Sequence, residues 1–318
     1  MVNLSIIIPH YNSVALLDKL LKSIPNSKEI QVIVVDDQSN GREKEEFLKL
    51  IMKFKKKNVE FHYNNTLNKS AGACRNIGLN QAIGKWLLFA DSDDYFLEGF
   101  YDTLQAYFNT ENDVIFFRPI SIELDTGKVS DRHLTYTKIL DEQKHGSPYS
   151  ELLLRYRFYV PWSKLLKTSY VKNNDIFFDE VIASNDVMFS TKVGYYMSKF
   201  DVSERVIYCV TRSKGSLTRT VSNKVFDARL NVFINYYKFL KNNLRSQDFA
   251  FLNISSIGYL ISSFRFGVRK GISVFIKLRL NKIRILDLKI FNPMTFGKKI
   301  FDFYRKKKKQ KKYYTKVE

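Results

Sequence analysis

Three short aliphatic runs each stop in a polar cluster, and each pair of runs is separated by enough chain for a helix. Residues 4–8 lead into Pro9-His10-Tyr11-Asn12, residues 31–35 into Asp36-Asp37, and residues 86–90 into Asp91-Ser92-Asp93-Asp94. A short β-branched run bounded by turn signals is the signature of a buried strand. The intervening segments carry helical spacing instead. Leu16, Leu17, Leu20, Leu21 and Ile24 fall on one face, with Asn12 or Ser13 able to cap it, and Phe47, Leu50, Ile51 and Phe54 fall on another within residues 43–57. A third helix is predicted from Ser70 through Ala82, after a strand over residues 59–63. Strands alternating with helices pair in parallel, because a parallel pair needs a crossover. The pattern predicts an α/β fold with a mostly parallel, Rossmann-like sheet and flanking helices. In such sheets ligands bind at the carboxyl edge, where all three polar clusters fall.

The later pattern is less regular. It predicts a helix over residues 97–108, a strand over 114–117, a loop or small antiparallel excursion over 123–147, and a turn with a short helix over 161–171. A helix over 185–197 and a strand over 206–210 follow, then a helical region over 227–280 with Tyr, Phe, Leu and Ile between Lys and Arg. No internal repeat is visible. The expected organisation is a catalytic domain over 1–220, a helical region over 221–304 and a basic, low-complexity tail over 305–318 that is expected to be disordered. Within the first, residues 1–120 form a nucleotide-binding half and 121–220 an acceptor half.

Charge and cysteine content narrow the classes. The 52 Lys and Arg against 32 Asp and Glu give a formal net charge of +20. The excess gathers after Arg265 and peaks in Arg305 to Lys309, Lys311 and Lys312, a field that attracts phosphate groups. Cys74 and Cys209 are too few for a disulfide framework and form no C-x-x-C, so two free thiols in a reducing compartment are expected. No signal peptide and no membrane-spanning stretch are predicted; residues 254–266 are too short and are interrupted by Ser, Gly and Arg.

The Asp91-Ser92-Asp93-Asp94 cluster carries the sharpest chemistry. Crowded carboxylates repel one another and need a counter-charge, which a hard cation such as Mg²⁺ or Mn²⁺ supplies while bridging to substrate phosphates. An Asp-rich helix cap would look the same in isolation; its place at the ligand edge favours the metal. Asp36-Asp37 could accept hydrogen bonds from a ribose or a base, or simply cap a turn. The small residues of Ser70-Ala71-Gly72-Ala73 allow close approach of a ligand or of packed chain, and both are expected, with Arg75 facing a nucleotide or phosphate. No G-x-G-x-x-G follows the first strand and no G-x-x-x-x-G-K-[ST] occurs, which argues against a dinucleotide-dependent dehydrogenase, a P-loop enzyme and a sugar-phosphate nucleotidyltransferase.

Taken in order, Ile6-Ile7-Ile8-Pro9-His10-Tyr11-Asn12, Val34-Val35-Asp36-Asp37-Gln38-Ser39, Ala71-Gly72-Ala73-Cys74-Arg75-Asn76-Ile77-Gly78 and Ala90-Asp91-Ser92-Asp93-Asp94 resemble glycosyltransferase family 2, with its GT-A fold. The likeness is strong over about the first 120 residues. It continues through Trp162-Ser163-Lys164-Leu165, Phe177-Phe178-Asp179-Glu180 and Asn185-Asp186-Val187-Met188-Phe189. The resemblance implies an inverting, metal-dependent sugar transfer of hexosyltransferase type. It places Pro9, Tyr11, Asn12, Asp36 and Asp37 around the base, Ala71 and Arg75 beside the nucleotide, and Asp91 and Ser92 near the ribose or sugar. It assigns the metal to Asp93 with Asp91, and the diphosphate to Arg212 and Ser216. Asp186 matches the family's general base, although the preceding residue is Asn185 where Glu is usual. Implied partners are a nucleotide-sugar donor, a glycan or lipid-linked acceptor and, through the basic tail, an anionic membrane surface on the cytoplasmic side. Nucleic acid is not expected. The alternatives are a catalytically inactive nucleotide-binding scaffold, or a nucleic-acid binder using the tail.

Overall fold

The protein is described by a computed structural model covering residues 1–54, 58–212 and 222–285. Its centre is an eight-stranded sheet. The first half alternates as expected: β1 (Leu4–His10), α1 (Val14–Ser23), β2 (Ile30–Asp36), α2 (Gly41–Lys53), β3 (Val59–Tyr63), α3 (Ala71–Gln81) and β4 (Trp86–Phe89). Every residue of β1, β2 and β4 is buried, as the near-continuous apolar runs require of strands covered on both faces. Parallel pairing of β3, β2, β1 and β4 aligns their carboxyl ends. The β1–β2 register sets His10 directly beside Asp36, and Asp91 emerges just beyond the last β1–β4 pair, Ile7 with Phe89.

α3 packs unusually close to its neighbours. Ser70 caps it, its hydroxyl accepting from the Ala73 N–H at 3.1 Å. A Cβ on Gly78 would lie 2.5 Å from Ile7 of β1, and one on Gly72 would lie 2.2 Å from the Asp179 carbonyl. These glycines therefore serve close packing of chain on chain, and they seat α3 where its side chains reach the sheet edge.

The second half departs from the sequence pattern. The strand expected over 114–117 continues as β6 (Val114–Glu123), and the one over 206–210 is part of β8 (Phe200–Arg212). The helix expected over 97–108 is shorter. Tyr95 and Phe96 form β5 against β8, Gly99 breaks the chain at φ 71°, and only α4 (Phe100–Gln105) is helical. The weak stretch over 123–147 turns back through an antiparallel bridge between Ile122 and Val129, then forms α5 (Leu134–Lys144). α6 (Ser150–Arg157) comes next. The short helix expected over 161–171 begins as a strand, β7 (Lys164–Lys167), and only then becomes α7 (Thr168–Asn173); α8 (Asn185–Tyr196) precedes β8. The sheet order is β3-β2-β1-β4-β7-β6-β8-β5. β7 runs antiparallel to both β4 and β6, so the sheet is mixed: four of its seven pairings are parallel.

The helical region divides into α9 (Asn223–Asn243), α10 (Ser246–Leu252), α11 (Ile257–Ser263) and α12 (Val268–Leu280), interrupted by left-handed Asn253 and by Gly267 at φ 103°. The chain forms two compact units, and the division falls inside α9, after Tyr236. In the second unit Leu240, Leu252, Val274, Leu278 and Ile283 are buried, and Tyr237 meets Phe249 edge-on at 5.1 Å. No helix among the described residues is long and apolar enough to cross a membrane. Residues 305–318, the basic tail, lie outside the described residues.

Candidate active site

At the ends of β1 and β2 a buried polar network sets the chain. His10 Nδ1 lies 2.8 Å from Asp36 Oδ1. The Ser13 backbone N–H donates to His10 Nε2 at 3.3 Å, so Nε2 is the acceptor and the ring proton sits on Nδ1, pointing at Asp36. Ser39 donates to Asp36 twice, from its N–H (2.9 Å) and its hydroxyl (2.5 Å). Burial pushes the Asp36 carboxyl up, but the bonds from His10 and Ser39 outweigh it and hold the group below the ordinary range. The His10 ring stacks on Phe47. Asp36 is therefore a buried orienting group that fixes the turn carrying Tyr11, Asn12 and Asp37. Tyr11 is half exposed, Asn12 donates its N–H to Ser39 Oγ at 2.9 Å, and Asp37 accepts from Asn64 at 2.7 Å. Pro9 is buried within β1, opposite Val35.

The end of β4 is the opposite case. One carboxylate oxygen each of Asp91, Asp93 and Asp94 lies within 4.8 Å of the others. Asp94 is fully committed: Tyr208 donates to Oδ2 at 2.8 Å and the Thr211 N–H to Oδ1 at 2.6 Å. Tyr208 also accepts from the Asp91 N–H at 2.8 Å, and Thr211 donates to the Asp93 carbonyl at 2.6 Å. These bonds from β8 fix the turn with Asp94 buried and leave Asp91 and Asp93 half-buried. Burial, then repulsion from Asp91, pushes the Asp93 carboxyl up to about 6. Burial with Asp93 and Asp91 pushes Asp94 well above the usual carboxylate range. An all-oxygen donor set short of positive charge suits a hard divalent cation, so the residues present fit Mg²⁺ or Mn²⁺.

Arg75 joins the two sides. Its guanidinium donates to Asp91 Oδ1 at 2.5 Å and to Asn185 Oδ1 at 2.8 Å, and it lies over the Phe178 ring. A single side chain from α3 thus ties the end of β4 to the first turn of α8. Where a Glu would form an ion pair with Arg75, Asn185 keeps the acceptor and drops the charge, leaving the cation to Asp91 and to Asp186. Asp186 follows Ser184, which sits in the left-handed region at φ 59°. Burial pushes the Asp186 carboxyl up, and Arg75 pulls it back only in part. Asn12 and Gln38, in the turns after β1 and β2, also have positive φ, at 46° and 60°.

Ala71 opens α3 beside its cap, and Ser92 meets Ser13 at 3.0 Å across the cleft edge. Arg212 is engaged elsewhere, with Asp131 at 2.7 Å and Glu123 at 3.4 Å. Ser216 lies outside the described residues. Besides Arg75, Arg132 acts on the acid cluster: it lowers both Asp93 and Asp94 and donates to the Thr211 carbonyl at 3.0 Å. It sits in the stretch expected to be a loop or small antiparallel excursion, and no motif marks it. Lys164 is a second addition. It is buried, donates to the Phe158 carbonyl (2.7 Å) and to Ser190 (3.1 Å), and Ser190 lies one turn beyond Asp186 on α8. Burial pulls its ammonium down to about 7.

Comparisons with known proteins bear on the fold and the family. The poly(ribitol-phosphate) beta-N-acetylglucosaminyltransferase TarS of Staphylococcus aureus is 28% identical over 224 residues, 68% of this chain and 36% of TarS. The chain spans about a third of that relative's length. The crystal structure of TarS residues 1–349 in complex with UDP-GlcNAc superposes with a TM-score of 0.62 at 22% identity, covering 87% of this chain and 77% of that one. The mannosyltransferase PcManGT of Pyrobaculum calidifontis, in complex with GDP-Man and Mn²⁺, gives 0.55 at 10% identity, covering 94% and 80%. Both neighbours share the fold. The model of glycosyl transferase family 2 matches residues 5–172, more than half of the 318 residues, and this chain belongs to that family.

Proposed function

We propose that the chain moves a sugar from a UDP-linked donor to a hydroxyl of a glycan or lipid-linked glycan, with inversion, in the synthesis of a bacterial surface polysaccharide. The observation that carries the proposal is the Arg75 bridge from Asp91 to Asn185, which holds the acidic strand end beside Asp186. The UDP-GlcNAc bound by TarS supports a UDP donor. Tyr11, Asn12 and Asp37 would receive the base, with Asp36 fixing their turn, and Ala71, Arg75, Asp91 and Ser92 would flank the ribose and sugar. Asp93, with Asp91, would hold Mn²⁺ or Mg²⁺, and that cation when bound neutralises charge on the departing diphosphate. Arg132 adds a fixed positive charge on the same side. Asp186 takes the proton of the acceptor hydroxyl. The hydroxyl oxygen then bonds to the anomeric carbon as the bond from that carbon to the diphosphate oxygen breaks, and an α-linked donor becomes a β-linked product. A base with a raised pKa serves this step at neutral pH. Residues 305–318 would hold the enzyme on the cytoplasmic face of the plasma membrane.

General-base catalysis contributes about 10²–10⁴-fold. Asp186→Asn should lose turnover by that order, read as nucleotide release from a panel of UDP-, GDP- and dTDP-sugars with Mn²⁺. Calorimetry should find its UDP affinity unchanged. Full turnover in that variant would remove Asp186 from the chemistry.

A further inference from the structure

The second unit exposes a concentration of large apolar side chains found nowhere else among the described residues. Ile261, Phe264, Val268, Ile272, Phe275, Ile276 and Leu280 are all exposed, Val268 at 67% and Leu280 at 78%. Five of them lie on α12. At about 100° per residue they span roughly 140° of its circumference, opposite the buried Gly271, Val274 and Leu278. Phe264 belongs to the same surface, because a Cβ on Gly271 would meet its ring at 2.4 Å: the missing side chain lets the short 3-10 turn at Phe264–Phe266 close onto α12.

The charge around this face has one sign. Between Asp248 and Asp287 the sequence has no acidic residue and seven basic ones: Arg265, Arg269, Lys270, Lys277, Arg279, Lys282 and Arg284. Arg269 and Arg279 fall within the apolar arc itself, both exposed. A convex strip of Val, Ile, Phe and Leu has no use for a nucleic-acid backbone, and a purely aliphatic protein partner has no use for the cations. An anionic bilayer uses both, since acyl chains take the apolar side chains while headgroup phosphates meet the guanidinium and ammonium groups.

We infer that the α11–α12 face is a membrane-docking surface that lies in the headgroup layer of an anionic leaflet. The inference rests on the membrane association proposed above, but it places contact on this face in addition to residues 305–318. It is tested with the full chain and sedimenting vesicles of phosphatidylglycerol or phosphatidylcholine. The chain should sediment with the first and not the second, and less as salt is raised. Ile272→Glu with Ile276→Glu should weaken binding about a hundredfold, roughly tenfold for each apolar side chain kept out of the lipid. Its melting curve and nucleotide release should stay unchanged, because both positions face solvent. Phe275→Trp should show a blue-shifted emission component on adding phosphatidylglycerol. A chain that ignores phosphatidylglycerol vesicles at low salt would overturn the membrane association itself. Binding by the double variant equal to that of the parent would overturn only the docking face, as would loss of all binding on deleting 305–318 alone. Light scattering that finds the parent dimeric and the double variant monomeric without lipid would make the face an interface between copies, and would overturn it too.

Discussion

Two carboxylate clusters stand at the same edge of one sheet, and their electrostatics are opposite. Asp36, at the end of β2, has both oxygens answered by His10 and Ser39 and is held below its ordinary range. Asp93, at the end of β4, accepts no hydrogen bond from another side chain among the described residues and is pushed up to about 6. The first cluster satisfies itself and so shapes the chain. The second sets two arginines, Arg75 and Arg132, against three carboxylates, and carboxyl groups left raised in this way mark a candidate binding site.

The comparison is broken most forcefully at Asp93. Asp93→Asn should lower turnover by about 10²–10³-fold, the scale of transition-state charge stabilisation by a cation, and abolish the Mn²⁺ dependence of UDP binding in calorimetry. The same variant should melt higher than the parent at neutral pH without metal, because it removes repulsion from Asp91 and Asp94. His10→Ala should do the reverse. It strips Asp36 of a buried partner and costs about 3 kcal/mol of stability by denaturant unfolding, with turnover of the folded protein changed little by comparison. If both substitutions cost stability and neither touches metal dependence, the two clusters are alike and the distinction fails.

The pH dependence sharpens the same contrast. Asp36 has a lowered folded pKa, so the unfolded chain binds more protons and stability rises with pH up to the ordinary carboxylate range. Asp93 has a raised one, so the folded state binds more protons between about 4 and 6 and metal-free stability falls as pH rises through that window. Midpoints measured from pH 3 to 8 should therefore lose their low-pH rise in Asp36→Asn and their fall between pH 4 and 6 in Asp93→Asn. Saturating Mn²⁺ should flatten the second slope in the parent.

The sequence announced the first half of this site far better than the second. Buried parallel strands need long apolar runs, and such runs followed by Asp36-Asp37 and Asp91-Ser92-Asp93-Asp94 are visible without coordinates. β7 is only Lys-Leu-Leu-Lys, too short for alternation to show, and its terminal lysines resemble a helix surface. β5 is two residues long. α5 buries only Ile139 and Leu140, so nothing in its spacing demanded a core. Arg132 precedes that helix in a turn, and the bridge from Ile122 to Val129, with the bonds from Ser121 to Ser130 and His133, brings it back to the acid cluster. The glycines of α3 were legible as small but not as to partner; Gly72 turns out to face Asp179 and Asn185 across the cleft. Gly72→Ala should push α3 from α8, costing about 1–3 kcal/mol and roughly tenfold in turnover as the Arg75–Asn185 bond lengthens.

The smallest effect is expected at Lys164, which tests whether the side of the candidate site around Asp186, the proposed base, belongs with Asp36 or with Asp93. Lys164→Met removes a buried ammonium and replaces it with a side chain of similar length. The charge is costly to bury, so its loss offsets the hydrogen bond lost by the Phe158 carbonyl, and stability at pH 7 should change by no more than about 1 kcal/mol. The pH slope is the sensitive readout. With a folded pKa near 7 against 10.5 in the open chain, the unfolded state binds more protons through that interval, so Lys164 makes the parent gain stability as pH rises from about 7 to 10. Lys164→Met should lose that gain. It should also move the acid limb of the pH–rate profile to higher pH, since Asp186 then faces Arg75 alone as its counter-charge. A profile that stays in place, with a large loss of stability at pH 7, would make Lys164 a tether between β7 and α8 with no electrical bearing on Asp186.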